Sequence, residues 1–214
     1  MPKYYLLGGE NTLKRDAREI NQIAFNEAGE KPNVLVFPWA RASFDNTYTK
    51  KKLLSNYFRS LGAYTVNFAD YSFTNQELKE RISDADLIYL TGGVPSVLLE
   101  RLKIQDTHVL LEKFKGIIVG RSAGALVLCK KCVVTYRRTS SVKLICGLGL
   151  VDITLKAHYK LRHSEKLKEL SVSNPIFALP KGSALVFDNG KLCALGKAYL
   201  FNKGQQEVFV SCNL

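Results

Sequence analysis

Gly116-Ile117-Ile118-Val119-Gly120-Arg121-Ser122-Ala123-Gly124-Ala125 reads as a buried strand that runs into a G-x-S-x-G turn and then an apolar helix. A serine at the apex of such a turn is held in a strained backbone that only small neighbours permit, so Gly120 and Gly124 give the chain room. This is the pattern of a nucleophile elbow, with the hydroxyl facing outward above a helix N-terminus. The amide of Ala123 would then point at the negative oxygen that develops on an attacked carbonyl. The same spacing also suits an ordinary glycine-lined turn with a phosphate at the helix end.

Working outward, Leu87-Ile88-Tyr89-Leu90-Thr91-Gly92-Gly93 is a second short apolar run, closed by two glycines. Parallel strands deliver their C-terminal ends to one edge of the sheet, which makes the Gly93 amide the candidate second oxyanion donor. Further short β-branched or aromatic runs lie at 3–7, 33–37 and 65–68. Between them are amphipathic stretches at 13–28, 47–61, 75–82, 96–102 and 123–129. This alternation predicts an α/β fold of repeated β-α units around a parallel sheet. After Cys132 the texture changes to short strands punctuated by Asp188-Asn189-Gly190 and Asn202-Lys203-Gly204, which predicts C-terminal antiparallel hairpins. A further helix is expected at 164–170. No repeat or linker divides the 214 residues, so one domain over 1–214 is expected.

A serine hydroxyl needs a base, and the chain has three histidines. His108 lies in a surface stretch and His163 in a charged one. His158 ends the apolar run 151–157, at a strand's edge, and is favoured by elimination. A structural histidine is the other reading of that position.

Composition narrows the function classes. The net charge of +12 comes from basic residues spread along the chain, with no nucleic-acid motif among them, so a lysine-rich surface is expected and no nucleic-acid partner. There is no run of about 18 apolar residues, so no membrane span is expected. No export signal is read at the N-terminus. The five cysteines follow no disulfide framework, which points to a reducing, cytoplasmic setting. Cys129 and Cys132 form a lone C-x-x-C without the second pair that zinc would need, so no metal and no cofactor are expected.

Taken in order, these stretches resemble the dipeptidase E (α-aspartyl dipeptidase) and cyanophycinase family of serine peptidases. The resemblance rests on VLVFPWA at 34–40 with Asp45-x-x-Tyr48 after it, and on ADLIYLTGG at 85–93 followed by Leu98-Leu99. It continues through GRSAGA at 120–125, GLGLV at 147–151, His158-Tyr159 and ALPKGSAL at 178–185. It implies a doubly wound, mostly parallel sheet of the class I glutamine-amidotransferase-like type. It implies Ser122 as nucleophile, His158 as base, Gly93 and Ala123 as oxyanion donors, and a small peptide substrate, with an N-terminal aspartate preferred by some relatives.

Three positions depart from the family pattern. Lys181, in Pro180-Lys181-Gly182, stands where relatives carry an acid that orients the histidine; Arg137 falls near another acidic place, and Val94 follows the double glycine in place of an asparagine. Asp152 is a candidate third member, and a Ser-His dyad held by a backbone carbonyl is the alternative. Arg162 and Arg121 are candidates to read a substrate carboxylate. The competing expectation is a catalytically weak relative that binds a small acidic ligand or a protein partner. An amidotransferase subunit would normally use cysteine at the elbow. The oligomeric expectation is a monomer or homodimer.

Overall fold

Strands that are apolar at nearly every position need cover on both faces, and the order in which the chain visits them supplies it. The structure, a computed structural model, describes residues 1–11, 13–41, 50–104, 106–135 and 142–209. Asp45, Tyr48, Arg137, Cys212 and the expected helix start at 47 lie outside them. The first half runs β1 (Lys3–Leu7), α1 (Arg18–Ala28), β2 (Asn33–Phe37), α2 (Lys51–Arg59), β3 (Thr65–Phe68), α3 (Asn75–Ser83), β4 (Leu87–Leu90), α4 (Pro95–Ile104), α5 (Thr107–Lys113), β5 (Ile117–Arg121) and α6 (Ala123–Leu128). The second half runs β6 (Cys129–Thr135), β7 (Val142–Cys146), β8 (Val151–Lys156), α7 (Ser164–Leu170), β9 (Ile176–Ala178), β10 (Ala184–Asp188), β11 (Lys191–Leu195), β12 (Ala198–Asn202) and β13 (Gln205–Phe209).

Seven strands form one sheet in the order β11-β10-β1-β5-β4-β2-β3, with β1, β5, β4, β2 and β3 mutually parallel. The chain steps outward from β1 through β2 to β3, then returns through β4 to β5. Crossovers of one hand therefore put α1 and α2 on one face and the following helices on the other. The packing follows that division. Phe25, Leu54, Tyr57 and Phe58 lie against Tyr5, Val36, Tyr89 and Val119, while Leu78, Leu98, Leu102 and Leu111 lie against Leu6, Leu35, Ile88 and Ile118.

The late strands, expected as C-terminal antiparallel hairpins, divide between two sheets, with β10–β11 and β12–β13 each paired antiparallel. β10 and β11 do join the first sheet antiparallel, across the turn at Asn189-Gly190. The others build a second, six-stranded sheet in the order β13-β12-β9-β8-β6-β7, in which β6, β8 and β9 are parallel. Cys129, Cys132, Val151 and Leu155 of this sheet share an apolar cluster with α6 and the first sheet. α6 passes directly into β6, because the alternating run from Cys129 to Val134 takes up strand pairing as soon as the helix ends.

α1 also starts later than its apolar pattern predicts. Asn11 Oδ1 accepts from the Leu13 and Lys14 amides, and Asp16 Oδ1 accepts from the Asn11 amide. These local side-chain bonds compete with a helical first turn.

Candidate active site

β5 is an interior strand, parallel to β1 on one side and β4 on the other, so its C-terminal end is fixed from both flanks. There the backbone turns sharply, and Ser122 has φ 53° and ψ −105°. A non-glycine residue in that region stores strain, held here by the Ser122 amide donating to Leu7 O at 3.0 Å and by Leu126 donating to Ser122 O at 2.9 Å. The flanking glycines are required sterically. A Cβ on Gly120 would lie 2.7 Å from the Ala125 nitrogen, and one on Gly124 would lie 2.3 Å from Leu90 O.

His158 comes from the other sheet, two residues past the end of β8, and also has a positive φ of 53°. Its amide donates to Gly8 O at 2.8 Å, and the next amide, that of Tyr159, donates to Leu179 O at 2.9 Å. The imidazole rests on Gly9, where a Cβ would lie 2.2 Å from Cε1 and 2.5 Å from Nδ1. These constraints bring His158 Nε2 to 2.7 Å from Ser122 Oγ. For the hydroxyl to donate, Nε2 must be the unprotonated nitrogen, which places the ring proton on Nδ1.

Ala123 is the first residue of α6, so its amide is one of those that a helix leaves without an internal partner. Gly92, just past β4, stands beside Ser122, since a Cβ there would lie 3.4 Å from Ser122 Cβ. Gly93 packs on the loop after β2, where a Cβ would lie 2.2 Å from Ala40 O, and Val94 N donates to that same oxygen at 2.6 Å. Arg101 of α4 fixes this loop by donating to Trp39 O at 2.8 Å and Arg41 O at 2.6 Å.

Arg121 is buried beside the elbow, with Nη1 3.8 Å from Oε2 of Glu10. Glu10 did not emerge from the sequence. Its side chain is 0% exposed, and its Oε1 accepts from Tyr57 Oη at 2.9 Å and Asn21 Nδ2 at 3.3 Å. Burial pushes the Glu10 carboxyl above the usual range, against the opposing pull of Tyr57, Arg121 and Asn21. The available signal was its position directly after Gly8-Gly9, at the end of a parallel strand, where sites collect.

The remaining expected residues fall elsewhere. Asp152 is not brought to the Ser122–His158 pair: its carboxylate is 78% exposed and 2.8 Å from Lys130 Nζ. It also sits four strand residues before Lys156, about 13 Å along the strand. Lys181 stands exposed on a loop whose Gly182 amide donates to Gly9 O at 3.1 Å. Arg162 is exposed in the short 3₁₀ turn Leu161–His163, close enough for its charge to lower the pKa values of both Lys156 and His163. Lys156 is buried, bonded to Ala157 O at 2.7 Å and Thr135 Oγ1 at 3.3 Å, and its pKa is brought down by burial to about 8.

His163 Nδ1 accepts from the Lys160 amide at 3.2 Å, and His108 lies on α5 near Leu102 O. Cys129 and Cys132 are buried thiols that donate to Ala125 O and Leu126 O. Among the described residues no group of three or more His, Cys, Asp or Glu side chains is placed to hold a metal ion. Nor is any described helix long and apolar enough to cross a membrane.

Two solved structures share this architecture. One is a peptidase from an acI-B1 Actinobacterium, similar with a TM-score of 0.76 and 21% sequence identity over 100% of this chain and 96% of that one. The other, from Listeria monocytogenes EGD-e and assigned to peptidase E, has a TM-score of 0.69 and 21% identity over 91% of this chain and 98% of that one. At that identity the likeness is one of fold. No curated protein matches the chain. Residues 5–195, which run from β1 through β11 and include both Ser122 and His158, match the family model of Peptidase family S51, and the chain belongs to that family.

Proposed function

We propose that this chain is a serine peptidase that hydrolyses small peptides through an acyl-enzyme, on a doubly wound sheet of the class I glutamine-amidotransferase-like type. The observation that carries this reading is the 2.7 Å contact between Ser122 Oγ and His158 Nε2. That distance is within hydrogen-bond reach, and both residues are held by backbone geometry. In the first half-reaction Nε2 takes the hydroxyl proton as Oγ attacks the peptide carbonyl. The amides of Gly93 and Ala123 receive the developing oxyanion. The amine leaves with the proton from Nε2, and the acyl ester remains on Oγ. Water, deprotonated by the same nitrogen, then releases the acid and restores the hydroxyl.

An acidic first residue, such as an N-terminal aspartate, suits the charge around the pair. Arg121 flanks the nucleophile, and Lys156, Arg162 and His163 surround the segment that carries the base. Guanidinium groups pair with carboxylates through parallel hydrogen bonds, which favours the exposed Arg162 for that contact over Arg121, which is buried against Glu10. Cys129 and Cys132, three residues apart and both buried, stay thiols that donate to backbone carbonyls, which supports a reducing compartment such as the cytoplasm.

The test is labelling by a fluorophosphonate. Labelling of Ser122 that vanishes in Ser122→Ala, with hydrolysis of aspartyl dipeptides, is the expected result. Lys181, in the loop against Gly9, motivates the second reading of a relative that binds an acidic ligand without turnover. Folded protein that resists labelling from neutral to alkaline pH, but is stabilised thermally by acidic dipeptides, decides for that second reading.

A further inference from the structure

The geometry points to Glu10 as a positioning residue for the Ser122–His158 pair, an inference that rests on the serine-peptidase reading above. Glu10 stands where three constraints meet. Its own main chain continues from Gly8, whose carbonyl anchors the His158 amide at 2.8 Å, and from Gly9, against which the imidazole packs. Its side chain turns inward, where Tyr57 of α2 and Asn21 of α1 hold Oε1. Oε2 faces the guanidinium of Arg121, the residue immediately before the nucleophile. One residue thus ties the cradle of the base to the strand end that carries the serine, although the two belong to different sheets.

The pair is poorly made as a stabilising device. The separation is 3.8 Å, and among the described residues Oε2 has no hydrogen-bond partner, although the side chain is fully buried. Buried ion pairs of that quality are often no better for stability than apolar side chains of similar volume. Proton transfer, by contrast, is sensitive to misplacement of about 1 Å, which can cost a hundredfold in rate. A charge pair that spans the nucleophile's strand and the base's cradle contributes at that scale.

Labelling of Ser122 by an alkyl fluorophosphonate without a carboxylate, followed to saturation, separates the maximal rate from the half-saturating concentration. Glu10→Gln is expected to lower the maximal rate about tenfold or more while half-saturation stays within about threefold. Arg121→Met should do the same. The double variant removes both buried charges, so it folds even if a single variant does not. It is expected to melt at or above the wild-type temperature, yet to label as slowly as the worse single variant. That split between stability and rate is what a merely structural pair would not produce. A folded single or double variant that labels at the wild-type rate overturns the role of Glu10 and leaves the peptidase reading standing. A wild-type protein that is not labelled at Ser122 overturns both.

Discussion

Ser122 and His158 are supplied by different sheets, and the two sheets hold them by different means. The serine ends an interior parallel strand, and its turn is locked by its flanking glycines and by the strands paired on either side. The histidine lies just past the end of β8, positioned by its own amide bond to Gly8, 150 residues earlier, and by that of Tyr159 to Leu179. The buried charges differ likewise. Beside the serine, Glu10 and Arg121 neutralise each other, whereas on the second sheet Lys156 is buried with a hydroxyl and a carbonyl but, among the described residues, no carboxylate. The bend that carries Ser122 is encoded in adjacent residues, although the neighbouring strands hold it in place. An imidazole delivered from another sheet depends on contacts distant in sequence.

The sharpest way to break this comparison is to remove the proposed base and leave the junction intact. Asn tolerates left-handed backbone better than most residues, so His158→Asn retains the positive φ and the amide bond to Gly8. Peptide hydrolysis is expected to fall by about 10⁴-fold, the scale seen when a member of a Ser-His system is lost. The thermal transition should stay close to that of the wild type. A variant that retains more than about a tenth of the activity would mean that His158 is not the base.

Next in size is a change at the junction itself. Gly9 has φ 139°, and an alanine methyl there would meet the imidazole at 2.2 Å from Cε1. Gly9→Ala is expected to cost about a hundredfold or more in kcat by displacing the ring. The equivalent change at Gly190, in a surface turn where a Cβ would meet nothing, should leave kcat unchanged and cost about 1 kcal/mol of stability through its positive φ alone. Equal kcat for the two variants would show that the imidazole is free to move away.

These contrasts also explain what the sequence discloses. Ten consecutive residues contain everything needed to place Ser122 on a strand-turn-helix, because the strand, its two glycines and the helix are neighbours. His158 is reached only by elimination among three histidines, since nothing local says that β8 will end against Gly8. The second sheet is harder still. β9 has three residues, β6 follows a helix without a turn, and the parallel pairing of β6 with β8 is a tertiary event. Glu10 is illegible for the same reason. Its partners Asn21, Tyr57 and Arg121 lie on three separate elements, and only folding brings them to one carboxylate.

Lys156 sharpens the electrostatic half of the comparison. Its pKa falls from 10.5 to about 8, chiefly through burial and then through the nearby Arg162. Above pH 10.5 the amine is neutral whether the chain is folded or not, and burial carries no penalty. Between 10.5 and 8 the unfolded chain takes up a proton that the folded one refuses, and below about 8 the penalty is complete, on the order of 3 kcal/mol. Lys156→Met should therefore stabilise the protein by about 2 kcal/mol below pH 8, once the lost bond to Ala157 O is set against the gain. The advantage should fade as the pH approaches 10.5. Chemical denaturation across that range reads it directly, and a gain that does not depend on pH would contradict a depressed lysine.

The smallest effect is expected at the acid nearest to His158 in the sequence on its own strand. Asp152 and His158 lie on one continuous run, yet the strand carries the carboxylate away from the ring and out to solvent, where Lys130 pairs with it at 2.8 Å. Exposed pairs of this kind contribute between 0 and about 1 kcal/mol, because water screens both charges and the side chains lose freedom on pairing. Asp152→Asn should accordingly leave kcat/KM within about twofold and the unfolding free energy within about 0.5 kcal/mol. Lys130→Met should behave in the same way. A drop of about 10³-fold or more in kcat for Asp152→Asn, with the fold preserved, would instead place that carboxylate in the proton relay. Segment 151–157 would then have to move far from its paired position between β6 and β9 during turnover, and the second sheet would be a moving part, not a fixed support.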